Sequence, residues 1–215
     1  MVSIFCVVAA YFIGGIPIGL WVGRAHGIPD IRQHGSGNTG ATNVLRVIGV
    51  KAGLLVWLAD CLKGAGPVLI AGQLLGVEGW WLGATGAAAV VGHCYSPYLR
   101  LTGGRGVSTG LGIALALFWP SGVAGVVVFV AAVALSKYVS LGSILGSLAV
   151  PLTALLMGAP ASVTAATTVA IAVIIYRHAP NIKRLQNGTE RKLGPKTAPE
   201  PASETGADDA DTKTG

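Results

Sequence analysis

The chain has 215 residues, 52% hydrophobic and 11% charged, whereas a soluble domain carries about 25% charged residues, which excludes an ordinary soluble globular protein. The formal net charge is +6, but the lysines and arginines lie between apolar segments rather than along one stripe with aromatic residues, which excludes a nucleic-acid surface. The three cysteines, Cys6, Cys61 and Cys94, are odd in number, form no CxxC pair and sit in or beside apolar stretches, so they are packing residues rather than a disulfide framework.

In chain order, the apolar stretches predict seven membrane-spanning helices, at residues 4–23, 51–76, 79–95, 107–119, 121–136, 140–157 and 161–177. The expected fold is an all-α integral membrane protein with some short spans. Met1-Val2-Ser3 offers no positive residue ahead of the first apolar run, so that run reads as a retained span rather than a signal peptide. Between 107 and 136, Trp119-Pro120-Ser121-Gly122 divides the run into two short helices, because Pro and Gly break helices. Asp60 and Lys63, three apart within the second span, share a helical face as an ion pair that either holds the structure or lines a site. Glycines four apart, Gly15, Gly19 and Gly23 and again Gly142 and Gly146, predict close helix packing within one bundle. From Pro195 the composition becomes polar and acidic, so residues 1–194 are expected as the membrane domain and 195–215 as a disordered tail.

Charge sets the expected orientation. Arg24, Arg32, Arg46 and Lys51 follow the first span, Arg100 and Arg105 the third, Lys137 the fifth, and Arg177, Lys183 and Arg184 the seventh. The turns at the other ends carry no lysine or arginine, so the positive-inside rule puts the basic loops and the C-terminus in the cytoplasm and the N-terminus outside.

Those basic loops carry the polar motifs. The first reads Gly35-Ser36-Gly37-Asn38-Thr39-Gly40-Ala41-Thr42-Asn43, followed by Arg46, and its glycines, amides and hydroxyls suit a backbone wrapped around an anion. Its formal GxGxxG lacks the strand and βαβ context of a dinucleotide site. The second contains Gly92-His93 and then Gly103-Gly104-Arg105-Gly106, a guanidinium set among glycines and suited to phosphate oxygens, without the spacing of a Walker loop. The third is Lys137-Tyr138-Val139-Ser140-Leu141-Gly142-Ser143. The fourth, Arg177 to Leu185, holds His178 and Asn181 on one helical face, with Pro180 opening a short basic helix at the membrane surface. Shared sidedness lets the four build one phosphate-recognising site, with Ser36, Gly37, Asn38, Gly40, Thr42, Asn43, Arg46, Gly103, Gly104, Arg105, Gly106, His178 and Asn181 as its candidate residues.

The segments GSGNTGATNVLR from Gly35, GH…SP…GGRGVSTG from Gly92, KYVSLGSI from Lys137 and RHAPNIKRLQNGTERKLG from Arg177 resemble, in order, the bacterial acyl-phosphate-dependent glycerol-3-phosphate acyltransferases. The likeness runs from Ile4 to Gly194. It implies a seven-span protein of the bacterial inner membrane, its site facing the cytoplasm, that moves an acyl chain from acyl phosphate to the 1-hydroxyl of sn-glycerol 3-phosphate. Lysophosphatidic acid and phosphate are released in this first acylation of phospholipid synthesis. The implied partners are the two substrates and membrane lipid; no cofactor, metal or nucleic acid is implied. The resemblance carries substrate binding onto Ser36, Arg46, the glycines around Arg105, His178 and Asn181, with His178 in an orienting role. The chain departs from the family in having Arg105 where lysine is usual and Ala179-Pro180 where a more polar pair stands. No histidine has an aspartate at HxxxxD spacing, so the acyl-thioester mechanism lacks its residues. The alternative class is a small phosphate or anion transporter with broken helices.

Overall fold

The structure, a computed structural model, describes residues 1–193, and the tail expected from residue 195 lies outside the described residues. All regular elements among the described residues are helical. Helix α1 (Val2–Gly15) and α2 (Ile18–Ala25) form one apolar stretch interrupted at Ile16-Pro17. Pro17 has no N–H to continue the ladder. The carbonyls left at the break are satisfied from elsewhere: Ser96 Oγ donates to Gly15 at 2.6 Å and Lys63 Nζ to Ile16 at 2.8 Å. A short α3 (Ala41–Val47) lies within the first loop, ahead of α4 (Val50–Leu69), which a π-helical turn extends over Ile70–Leu74. Then come α5 (Gly79–Cys94), α6 (Val107–Ser136), α7 (Val139–Leu156), α8 (Ala161–Arg177) and α9 (Ala179–Gln186), the last bent by 56° from α8.

Four stretches among the described residues are long and apolar enough to cross a bilayer singly, Val2–Ala25, Val50–Leu74, Val107–Ser136 and Val139–Leu156, and α8 with α9 makes a fifth if counted as one bent span. The third of these is not straight. Phe118 has φ −158° and ψ 86°, Ser121 Oγ donates to the Phe118 carbonyl at 2.8 Å, and Gly122 is packed onto the side chain of Leu115. A straight 30-residue helix would hold Val107 and Ser136 roughly 43 Å apart, yet Val107 and Val139 line the same cavity. The chain therefore doubles back at Phe118, where Trp119-Pro120-Ser121-Gly122 predicts a break.

Close helix approaches depend on glycine. A Cβ on Gly146 would stand 2.6 Å from the Gly125 carbonyl oxygen, so α7 and the second half of α6 meet backbone to backbone. Gly15 packs on Pro97, Gly19 on the Thr39 backbone, and Gly142 on Phe129 and Val133. The four-residue glycine spacing thus serves packing inside this chain. The interior is small, built around Val68, Ala89, Val90, Ile113 and Ile174. Large apolar side chains such as Phe5, Leu62, Val127 and Leu155 point outward, as expected of helices solvated by lipid.

Sidedness has a direct test. Single cysteines at positions 36, 102 and 188, replacing Ser36, Thr102 and Gly188 in a cysteine-free background, are all expected to label from the cytoplasm. Labelling of position 102 from outside would place the second loop on the wrong face.

Candidate active site

One cavity of about 340 Å³ gathers residues from all four basic loops. Its polar end is lined by Ser36, Arg46, Arg105, Ser140, His178 and Glu190, and its apolar walls by Val126, Phe129, Val150, Ile171 and Ile174. Along α7, α8 and the second half of α6, the lining reaches Val150, Thr167 and Gly125. Each lies 11 residues from the loop end of its helix at Val139, His178 or Ser136, about 16 Å of helix. The cavity is therefore an anion-suited mouth continued by an apolar groove of roughly that length.

The first loop is built around Asn43, which is 1% exposed. Its Nδ2 donates to the carbonyls of Ile31 (3.1 Å), His34 (3.1 Å) and Asn38 (2.8 Å), while Oδ1 accepts from the Ser36 amide (2.7 Å) and hydroxyl (3.1 Å). That amide is fully occupied, so Asn43 clasps the loop rather than reaching outward. Gly35 is required beside it: its φ is +62°, and a Cβ there would collide with Asn43 Oδ1. The clasp presents Ser36, Asn38, Gly40 and Thr42 on the cavity wall, whereas Gly37 does not line it.

In the second loop the glycines do something other than form a cradle of free N–H groups. The Gly104 amide donates to the His93 carbonyl at 3.1 Å, and Arg177 donates to the carbonyls of Gly103 (2.7 Å) and Gly104 (3.2 Å) while lying over the Tyr95 ring. Neither Gly103 nor Gly104 lines the cavity; Arg105 and Gly106 do. The donors at this wall come instead from helix starts. Helix α6 begins at Val107 and α7 at Val139, neither has a side-chain cap, and Val107, Ser108, Val139 and Ser140 all face the cavity. Unpaired first-turn amides and the positive ends of two helices favour an anion there.

After α8, Glu190 organises the chain. It accepts from Asn181 Nδ2 at 2.8 Å and Arg184 Nε at 2.6 Å. Burial pushes its carboxyl up, but the Ser140, Asn181 and Arg184 side chains and the Arg184 charge outweigh that and hold its pKa below the ordinary value. Asn181 thus supports Glu190 and does not line the cavity. Burial lowers the Arg105 pKa to about 10, with Glu190 opposing and Arg184, Arg46 and Arg177 adding to the decrease, so Arg105 stays charged at neutral pH. Burial likewise lowers that of Arg46. Neither arginine forms an ion pair among the described residues. The mouth of the cavity is thus a cationic place that also holds the Glu190 carboxylate, while Asp60, paired with Lys63, lines the cavity as well.

The candidate residues Ser36, Arg46, Arg105 and His178 stand at the wall; Glu190, Ser140, Ser143, Ser147 and His93 line it too but are not among the candidates, although all of these except Ser147 lie within the quoted motifs. Glu190 carries a signal in retrospect, as an acid flanked by Arg184, Arg191 and Lys192. The serines of α7 fall at i, i+3 and i+7, a stripe on one helical face.

His178, 1% exposed, places Nδ1 2.8 Å from the Ile174 carbonyl. A carbonyl only accepts, so Nδ1 carries the proton and the neutral ring keeps Nε2 as an acceptor. Burial and the Arg105 charge lower its pKa to about 4, against the Ile174 hydrogen bond and Glu190, which raise it. Between that value and the ordinary 6.5 the unfolded chain binds a proton that the folded chain refuses. Stability from this group is therefore complete above pH 6.5 and falls as pH drops toward 4, by on the order of 3 kcal/mol at the limit. The unfolding midpoint in detergent is expected to fall between pH 7 and 5, and His178→Gln should flatten that dependence. An equally steep profile in the variant would assign the effect to other groups.

The family model described as glycerol-3-phosphate acyltransferase matches residues 4–188. The glycerol-3-phosphate acyltransferase of Rubrobacter xylanophilus is 41% identical over 194 residues, 90% of this chain and 96% of that protein. The one from Syntrophotalea carbinolica is 45% identical over 185 residues, 86% and 94% of the two chains. Among solved structures, the fold is similar to the crystal structure of PlsY, an integral membrane glycerol 3-phosphate acyltransferase, in its glycerol 3-phosphate form. The TM-score is 0.85 at 40% identity, covering 89% of this chain and 96% of the other. The lysophosphatidic acid form gives a TM-score of 0.84 at 38% identity, covering 89% and 95%. With its apolar helices, its cationic cavity and this agreement along nearly its whole described length, the chain belongs to the glycerol-3-phosphate acyltransferase family of integral membrane proteins.

Proposed function

We propose that this chain transfers an acyl group from acyl phosphate to the 1-hydroxyl of sn-glycerol 3-phosphate, at the cytoplasmic face of a bacterial inner membrane. The observation that carries the reading is one cavity with both parts such a reaction needs: a cationic mouth beside an apolar groove. In this reading residues 1–194 are one domain of seven spans, the two halves of α6 counting separately, with the N-terminus outside and the C-terminus in the cytoplasm. The transporter alternative has less support, since the arginines without ion-pair partners among the described residues, Arg46 and Arg105, lie together at one end of the cavity, while the polar residues along its groove walls, Ser143, Ser147 and Thr167, carry only hydroxyls.

Arg105, Arg46 and the first-turn amides of α6 and α7 hold phosphate oxygens, with Arg105 on glycerol 3-phosphate. The Ser36 hydroxyl turns its one proton from Asn43 Oδ1 to a phosphate oxygen when substrate binds, while the Ser36 amide keeps its bond to Asn43. Neutral His178, its Nδ1–H bound to Ile174, accepts at Nε2 from the substrate hydroxyl and aims it at the acyl carbon. The groove, about 16 Å long, takes an extended chain of roughly a dozen carbons, since a carbon chain with bonds of about 1.5 Å advances about 1.25 Å per atom. The hydroxyl oxygen attacks the carbonyl carbon, the carbon–oxygen bond to phosphate breaks, and the hydroxyl proton, at first hydrogen-bonded to His178 Nε2, passes to an oxygen of the departing phosphate. Products are lysophosphatidic acid and hydrogen phosphate.

Purified protein in detergent is expected to release phosphate from palmitoyl phosphate only when glycerol 3-phosphate is present; release independent of the acceptor would reject acyl transfer. Arg105→Ala should remove most of this activity and Arg105→Lys should keep a substantial part, because a lysine supplies the same charge with less geometric control. Near-normal rates in Arg105→Ala would misplace the phosphate site.

Ser36 has an amide rather than a base as its hydrogen-bond partner, so it lacks the activation a serine nucleophile requires. Incubation with acyl phosphate alone, followed by intact-mass measurement, should therefore show no acyl-enzyme. A stoichiometric adduct on Ser36 would replace direct attack with a covalent route.

A further inference from the structure

Ionised groups inside an apolar bundle are costly and persist where they hold something in place. In α4, Asp60 and Lys63 are 2% and 8% exposed and meet at 2.8 Å. The pair does not simply join two turns of one helix. Lys63 also donates to Ile16 at the break between α1 and α2, and Asp60 Oδ1 lies 3.8 Å from His93 Nδ1. That same nitrogen is 3.2 Å from Thr109 Oγ1, in the first turn of α6. The other side of the ring supports the second loop: a Cβ on Gly104 would collide with His93 Nε2, and Gly104 N–H is bound to the His93 carbonyl. Arg105 is the next residue. Asp60 and His93 also line the main cavity, so the chain of contacts ends at the site.

We propose that Asp60, Lys63, His93 and Thr109 form a positioning unit that sets the direction of Arg105, by seating Gly104 on the imidazole and fixing that imidazole from α4 and α6. The proposal rests on the reading of Arg105 as a phosphate ligand. Two stretches of non-helical backbone, Ile16-Pro17 and Gly103-Gly104, are thereby tied to one buried ion pair. Irregular backbone within a membrane bundle persists only where side chains supply such partners.

The test is a double-variant cycle read by glycerol 3-phosphate affinity, measured by titration calorimetry on the full chain in detergent, alongside the unfolding midpoint. His93→Gln removes the ring beneath Gly104; Thr109→Val, nearly the same shape, removes only the hydroxyl and serves if the first fails to fold. Each is expected to weaken binding about tenfold with little change in the unfolding midpoint. Combination with Arg105→Lys should give no more loss than the larger single change, because groups that act as a unit are not additive. Losses that multiply would show that the cluster and Arg105 act independently and would overturn the proposal. So would unchanged affinity in both cluster variants, which would leave the ion pair a packing feature. If Arg105→Lys and Arg105→Ala both bind normally, the phosphate reading fails and the positioning role falls with it.

Discussion

Each backbone N–H and C=O within hydrocarbon has to find its partner inside the chain, and the rest of this structure follows from how that demand is met where helices stop. Helices that cross fully satisfy it alone. The interruption at Ile16-Pro17 is met by Ser96 and Lys63, and the Gly103-Gly104 turn by Arg177 and the His93 carbonyl. The α-helices among the described residues all start without a side-chain cap, and two of those starts, α6 and α7, open onto the cavity. The cavity mouth thus keeps donors unspent beside two arginines without ion-pair partners among the described residues, which add to its demand for an anion.

The same logic assigns the glycines. They act less as ligand-facing residues than as permits for close approach: Gly125 and Gly146 let α6 meet α7, and Gly35 admits the Asn43 amide. Asn43 in turn makes the first loop a folded object, with five hydrogen bonds converging on one side chain. The loop can therefore hold Ser36 on the cavity wall without a helix or strand beneath it.

Much of this was legible from pattern. Apolar runs located the helices, Trp119-Pro120-Ser121-Gly122 marked the reversal within α6, and the basic loops pointed to residues that the fold brings to one cavity, Ser36, Arg46, Arg105 and His178 among them. What stayed hidden depends on contacts between distant segments. Nothing local to Gly103-Gly104 says that its carbonyls serve Arg177, 73 and 74 residues away, or that Asn181 will spend its amide on Glu190. The α7 serines fall in or beside the third motif yet give no sign of a site role, because a hydroxyl in an apolar helix commonly bonds its own backbone, as Ser143 does to Val139.

The packing of Gly64 against Thr109 seats the first turn of α6 beside the middle of α4. Gly64 lies 14 residues into α4 from Val50, about 21 Å along the helix axis, so α4 extends well past the start of α6, and the second loop, exposed at Leu101 and Thr102, turns inward beside α4 at Gly104 and Arg105. Charges that meet there do so with little water between them, where attraction between a guanidinium and a phosphate is several times stronger than in bulk solvent. Enclosure also decides a competition. In the proposed reaction, an activated acyl group held at an open surface would be lost to hydrolysis, water being the most abundant nucleophile present; beside an apolar groove that excludes much of the solvent, an alcohol delivered by its own phosphate has the advantage.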